Sequence, residues 1–198
     1  MGVVRLDITM SLDGFIAGPD DDVERLHQWV FGGDIVVRSG GDEYRLRTKA
    51  DADVVRESIE NQGAVVMGKR TFDIGEEPWG AEPPFQVPCF VVTHRARPNL
   101  TKGRTTFTFV THGIDVAIDQ AKAAAKGNNV TVMGGANVAQ QALAAGRLEE
   151  LDLHVVPVLL GAGIPLFDVD HPIELKQTRI MPSAGVTHVR YVVVRKDR

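Results

Sequence analysis

The feature that most constrains this chain is a recurring order: a short apolar run, then a glycine or polar turn, then a segment with helical periodicity. Ala64-Val65-Val66-Met67 is an unbroken apolar run that stops at Gly68 and opens onto Lys69-Arg70-Thr71-Phe72. A strand reads this way when helices cover both of its faces and leave it no polar side. Residues 87–93 form another run, residues 107–110 lead into a helical segment from about Ile114 to Lys126, and residues 130–133 lead into one from about Ala136 to Ala145. Parallel strands need crossovers of this size, so the order predicts an α/β fold with a central, mostly parallel sheet flanked by helices. Residues 3–10 alternate apolar and polar positions and end at the turn signal Asp13-Gly14, which makes them the first strand, with Phe15-Ile16-Ala17 a short apolar piece after it. Residues 151–160, 173–180 and 186–194 follow without long helices between them, which predicts antiparallel strands finishing the sheet.

Helix boundaries follow from capping residues. Asp20 to Asp22 supply N-cap and first-turn carboxylates for a short helix through Val30. Asp51 or Asp53 can cap a helix that runs to about Gln62 and that Gly63 closes. Residues 31–47 lose any period, with Gly32-Gly33 and Gly40-Gly41 breaking them, and read as a mobile loop. No repeat, low-complexity tract or linker interrupts the 198 residues, so they read as a single domain, residues 1–198.

Composition excludes several classes. The nearly unbroken apolar stretch at residues 155–167 contains two Gly and two Pro and falls short of the ~20 apolar residues that span a bilayer. A net charge of -4 provides no global field for nucleic acid or an anionic membrane, so any anion site is local. The N-terminus reads as a strand rather than a secretion signal, and the single cysteine, Cys89, in an apolar run, reads as a buried thiol. Both point to the cytosol. Asp168, Asp170 and His171 read as a solvated loop, and no metal is expected.

Three strand ends carry the chemistry. At Gly68-Lys69-Arg70-Thr71 a buried strand meets a helix start bearing two cations and a hydroxyl, which suits a phosphate or leaves a plain solvated turn. Gly134-Gly135-Ala136-Asn137-Val138 joins another strand to a helix through paired glycines, either a phosphate cradle or a tight turn; its spacing is not the dinucleotide GxGxxG fingerprint. Thr93-His94-Arg95 delivers a hydroxyl, an imidazole and a guanidinium at a third strand end. Ligands of open α/β sheets bind outside the carboxyl ends of the strands, so the three together fit one dinucleotide.

These segments, together with Ser11-Leu12-Asp13-Gly14-Phe15-Ile16-Ala17 and the run from Val155 to Phe167, resemble the dihydrofolate reductase-like superfamily, in order over nearly the whole chain. The nearest resemblance is to the C-terminal reductase domain of the bifunctional riboflavin-biosynthesis deaminase-reductase and its stand-alone relatives. The resemblance implies a dihydrofolate reductase-like fold and an NADPH-dependent reductase acting on a heterocyclic small molecule, nearest to 5-amino-6-(5-phosphoribosylamino)uracil reductase. It implies that Gly68, Lys69, Arg70 and Thr71 grip the cofactor phosphates and that Thr93, His94 and Arg95 meet the adenosine ribose and its 2′-phosphate. Gly134, Gly135, Ala136, Asn137 and Val138 then lie under the pyrophosphate and nicotinamide. Ser11, Leu12 and Gly14 fall beside the ring being reduced, Trp29 on the substrate side or in the core, and Asp13 is a candidate proton donor if its carboxyl is half-buried with a raised pKa. Dihydrofolate reductases place a carboxylate on the preceding helix, which makes Asp53 the substrate-binding candidate here, or merely an N-cap. The resemblance also implies a homodimer through the C-terminal strands.

Two departures bear on the substrate. Met133 stands where the riboflavin-pathway reductases carry a Glu before the glycine pair. The stretch Phe72-Asp73-Ile74-Gly75-Glu76-Glu77-Pro78 offers no cation where those enzymes place an Arg for the substrate phosphate. Other readings are a module that binds NADPH without turnover, and pterin reduction.

Overall fold

A computed structural model describes residues 2–194. The chain opens with β1 (Val4–Ser11) and β2 (Phe15–Ala17), followed by a 3-10 turn at Pro19–Asp21 and α1 (Glu24–Phe31). Next come β3 (Ile35–Ser39), β4 (Asp42–Leu46), α2 (Lys49–Asn61), β5 (Gln62–Gly68) and α3 (Lys69–Gly75). The middle holds β6 (Cys89–Val92), β7 (Leu100–Lys102), β8 (Thr105–Val110), α4 (Gly113–Ala124), β9 (Asn129–Val132) and α5 (Ala136–Ala144). The chain finishes with β10 (Glu150–Val156), β11 (Ile164–Pro165), β12 (Leu175–Ser183) and β13 (Val186–Val193).

Nine strands form one sheet in the order β12-β13-β10-β1-β9-β5-β6-β8-β7. The inner six, from β10 to β8, are all parallel, and β13, β12 and β7 add antiparallel at the edges. Strand periodicity divides the core between the two faces. Ala64 and Val66 of β5 pack under α4 and α5 with Ile118 and Ala139, whereas Val65 and Met67 face an aromatic cluster of Phe72, Phe107 and Trp79. Cys89 is fully buried in that second cluster, where burial pushes its thiol pKa well up.

Several expectations are corrected. β10 runs parallel to β1, because the helix α5 that precedes it is the crossover; of the three C-terminal segments predicted antiparallel, only β12 and β13 are so. Residues 31–47 are not a mobile loop. They contain the β3–β4 hairpin, closed between Ser39 and Asp42 over Gly40, whose φ of 58° suits glycine, and anchored by the buried Val37 and Leu46. Gly33 is there for close approach, since a Cβ on it would lie 2.1 Å from the Leu46 carbonyl. Thr48, not Asp51 or Asp53, is the N-cap of α2, and Asp51 completes its capping box from the third helical position. Gly63 already lies within β5 rather than closing the helix. No helix follows β6; the short strand β7 leads back to β8 instead. Among the described residues no helix is long and apolar enough to cross a membrane.

The helix α2 is tied to the sheet by charge. Glu57 meets both Arg179 of β12 and Arg190 of β13, and Arg190 also pairs with the buried Asp152. That fixes the face of α2 that carries Asp51 and Ser58 toward β1 and β13.

Candidate active site

A cavity of about 1310 Å³ opens at the carboxyl ends of the parallel strands. It exceeds the roughly 300–1,000 Å³ of a single drug-sized site, so it has room for two molecules side by side. Its lining divides into two chemistries.

One side is built by strand exits. Gly68 after β5, Thr93 to Arg95 after β6, Gly113 after β8 and Gly135 to Val138 after β9 all line the cavity. The helices α3, α4 and α5 begin here with no side-chain cap, whereas α2, which begins elsewhere, has a full capping box. Uncapped first-turn N–H groups are available to an anion. The Gly68 N–H donates to the Gly134 carbonyl at 2.8 Å and draws the β5 and β9 exits together. A Cβ at Gly68 would lie 3.2 Å from Val138 Cγ2, so the small residue permits this junction. The Thr93 hydroxyl accepts the Arg95 N–H at 3.1 Å and shapes the β6 exit. Lys69 pairs with Asp73 and Arg70 with Asp21, both at the surface; among the described residues Arg95 has no ion-pair partner.

The other side is built by α1, the β3–β4 hairpin, α2, β1 and β10. Trp29, Phe31, Tyr44, Val55 and Ile59 supply apolar wall, and Asp7, Asp42 and Ser58 supply polar groups without a Lys or Arg among them. Beneath this wall lies a polar chain. Asp7 Oδ1 is 3.0 Å from His154 Nε2, His154 Nδ1 is 2.8 Å from His188 Nδ1, and His188 Nε2 is 2.9 Å from Asp51 Oδ1. The Ser58 hydroxyl donates to Asp7 at 2.8 Å. The Trp29 ring sits 4.9 Å from the His154 ring and 5.0 Å from that of His188, and its indole N–H donates to the Thr9 hydroxyl. Burial raises the Asp7 carboxyl, but hydrogen bonds from His154 and Ser58 and the nearby charges of His154 and Arg5 outweigh it and hold Asp7 below the ordinary carboxylate range.

Eleven of the twelve predicted cofactor residues line this one cavity: Gly68, Lys69, Arg70, Thr71, Thr93, His94, Arg95, Gly135, Ala136, Asn137 and Val138. Gly134 sits behind them and joins the two strand exits. Trp29 is both cavity wall and core, only 4% exposed. The predicted substrate and proton-donor residues fare differently. Asp13 is exposed and outside the cavity lining, and hydrogen bonds from Ser11 and from the Gly161 and Leu160 N–H groups hold its carboxyl below the usual range, the opposite of the raised value a proton donor needs. It clamps the 157–161 segment. Ser11 is fully buried with its hydroxyl accepting the Phe15 N–H, Leu12 is 62% exposed, and Gly14 occupies a turn with φ of 90°. None of the three lines the cavity. Asp53 faces solvent, paired with Lys49 and Arg56. Two carboxylates on this second side, Asp7 and Asp42, are absent from the predicted set: Asp7 reads as an outward residue of a strand, and Asp42 falls in the segment read as a loop. The alternation in residues 3–10 marks Asp7 as polar-out, and only the tertiary fold reveals that its outward face is the cavity. Asp170 pairs with His171 on an exposed loop, and the described residues contain no group of three metal-ligating side chains.

The parallel sheet with its antiparallel end, and a large cavity along the strand exits, define a dihydrofolate reductase-like fold. Dihydrofolate reductase from Enterococcus faecalis superposes on 97% of the chain and 96% of its own with a TM-score of 0.59 at 13% identity. The chain belongs to the RibD C-terminal domain family, whose reductase-like pattern matches residues 3–189. A Shewanella sp. PV-4 protein named for riboflavin biosynthesis superposes on 98% of this chain and 100% of its own with a TM-score of 0.73 at 21% identity. Two uncharacterized Bacillus subtilis proteins are similar in sequence. YwjB is 26% identical over 162 residues, 82% of this chain and 80% of its own, and YyaP is 25% identical over 198 residues, 95% and 93%.

Proposed function

We propose that this protein is an NADPH-dependent reductase of a planar nitrogen heterocycle that carries no phosphate. The observation that supports it most is the division of the cavity, with every Lys and Arg of the lining on the strand-exit side and apolar rings with carboxylates opposite. The residues fit the cofactor. Gly68 to Thr71 and Gly135 to Val138 would hold its phosphates, and Arg95 its 2′-phosphate; once bound, the cofactor supplies the hydride. A phosphoribosyl substrate would bury a dianion against Asp7 and Asp42, which is costly without a cation. Apolar Met133 and the Glu76-Glu77 stretch supply none. Asp7, Asp42 and Ser58 instead suit ring N–H and amino donors.

The test is a thermal-shift titration with NADPH and NADH, followed by NADPH absorbance in the presence of aminopyrimidines, pterins and aminouracils with and without the phosphoribosyl group. NADPH raises the melting temperature more than NADH, because a ligand of the folded state alone stabilises it. Turnover follows with an unphosphorylated ring. Stabilisation by neither cofactor sinks the reading, and stabilisation without turnover across the panel favours a binding module.

We also infer a homodimer that covers β12. This nine-residue edge strand leaves Leu175 40% and Ile180 56% exposed, and long apolar edges are normally covered. Light scattering should give twice the 21.5 kDa chain mass, and an Ile180→Asp variant should give the monomer; a monomeric parent refutes the contact.

A further inference from the structure

We propose that Asp7, His154, His188 and Asp51 store one transferable proton beneath the cavity, and that Asp7 hands it to the substrate; the proton's use in reduction rests on the reductase reading above. Each contact along these four residues requires a proton at a definite place. An ionised carboxylate only accepts, so the contacts of His154 Nε2 with Asp7 and of His188 Nε2 with Asp51 each need an N–H on the ring. The two Nδ1 atoms, 2.8 Å apart, need one proton between them. None would set lone pair against lone pair, and two would set N–H against N–H. Two neutral imidazoles carry two ring protons, and this arrangement carries three. The extra proton is shared by two rings flanked by two carboxylates.

The surroundings support that count. At Asp51 burial raises the carboxyl, but hydrogen bonds from Ser183, His188 and Thr48 outweigh it and keep it ionised. His188 is pushed down by burial and then by the charge of His154, which is the refusal of a fourth proton; Asp51 and Asp152 oppose this without reversing it. Around Asp7 stand Arg5 on its own strand, Ser58 from α2 and Tyr44 from β4, with Asp42 acting on Tyr44 in turn. The Tyr44 phenol is pushed far up by burial and by Asp42 and Asp7, so it stays neutral.

The chain of groups has one open end. His188 and Asp51 side chains are fully buried, whereas the Asp7 side chain is 17% exposed and lines the cavity with His154. The proton therefore leaves and returns through Asp7. In the step, the His154 Nε2–H bond breaks as its proton passes to Asp7, and Asp7 gives a proton to the heteroatom of a C=N or C=O bond. The π electron pair becomes the new N–H or O–H bond while the carbon takes hydride from the reduced nicotinamide, which is oxidised. The shared proton settles on His154 Nδ1, and a solvent proton restores the store when product leaves. One proton and one hydride are consumed per bond reduced. Asp7, held ionised at rest, only relays the proton that His154 carries and so needs no raised pKa of its own, whereas Asp13 has no proton-bearing ring behind it; His188 and Asp51 are positioning residues.

Nitrogen-15 histidine NMR of the full-length protein tests this without a substrate. At about pH 7, three ring N–H protons should be found on His154 and His188 together, one more than two neutral imidazoles carry. The His154 Nε2 proton should exchange with solvent at least about 100-fold faster than that of His188, because only the former borders the cavity. Two or four ring protons, or equal exchange rates, overturn the proposal. Where the panel above reveals turnover, Asp7→Asn should lower kcat about 100-fold or more, the size of a lost general acid, with NADPH affinity retained. His188→Gln should shift the pH at which kcat falls while leaving KM alone. Full turnover by Asp7→Asn also overturns it. The reductase reading fails separately, on absent NADPH binding.

Discussion

Replacing Arg95 with Ala is expected to weaken NADPH binding about 10- to 100-fold, the worth of a lost charge-assisted hydrogen bond of about 1.5–3 kcal/mol, and to leave NADH binding nearly unchanged. Three cations, Lys69, Arg70 and Arg95, stand at one rim of the cavity. Lys69 and Arg70 are already engaged by Asp73 and Asp21, so a phosphate that recruits them must compete with a carboxylate. Arg95 has no ion-pair partner among the described residues, and its backbone is set by the Thr93 hydroxyl that accepts its N–H. Its guanidinium can give a forked contact without first breaking another. Arg70→Ala should accordingly cost less than Arg95→Ala, although the two residues carry equal charge. Calorimetric titration of both variants with both cofactors decides the matter. An equal loss for NADPH and NADH would place Arg95 on the pyrophosphate, and no loss would remove it from the site.

What was legible in the sequence was the part of the site held by backbone. Gly68 and Gly134 sit at strand exits where a Cβ would press to 3.2 Å from Val138 and from Ile8, and Gly134 adopts a φ of 105°; such positions announce themselves as glycine after an apolar run. The cations beside them follow from position alone. The substrate side was illegible for the opposite reason, since its groups come from elements far apart in the chain. Asp7 belongs to β1, His154 to β10, His188 to β13 and Asp51 to α2, and no local pattern couples residues separated by 137 and 147 positions. The β3–β4 hairpin escaped notice because its glycines look like breaks. Gly33 packs against the Leu46 backbone and Gly40 makes the turn, so the same residues that interrupt the period are what let the hairpin form.

Asp51 and Asp53 offer the sharpest contrast, because they stand two residues apart and the sequence offers both equally as the N-cap of α2. Asp51→Ala is expected to destabilise the protein by about 3–5 kcal/mol, the range for removing one partner of a buried ion pair. At about 2–4 °C per kcal/mol for a chain of this size, the melting temperature falls by about 6–20 °C. Two losses combine there. His188 Nε2 is left without an acceptor in a fully buried position, and the Thr48 backbone N–H loses the other half of the capping box. Asp53→Ala removes only surface pairs with Lys49 and Arg56 and should change stability by less than about 1 kcal/mol. The pH dependence has a definite sign. The folded Asp51 carboxyl lies below its unfolded value of about 3.9, so the stability it contributes is complete above that pH and is lost as the pH falls through the lower, folded value. Thermal melts of the parent and the Asp51→Ala variant should therefore be well separated at neutral pH and converge below about pH 4. A gap that stayed constant into acid would mean that Asp51 acts through packing and not through its charge, and the buried chain from Asp7 to Asp51 would lose its anchoring anion.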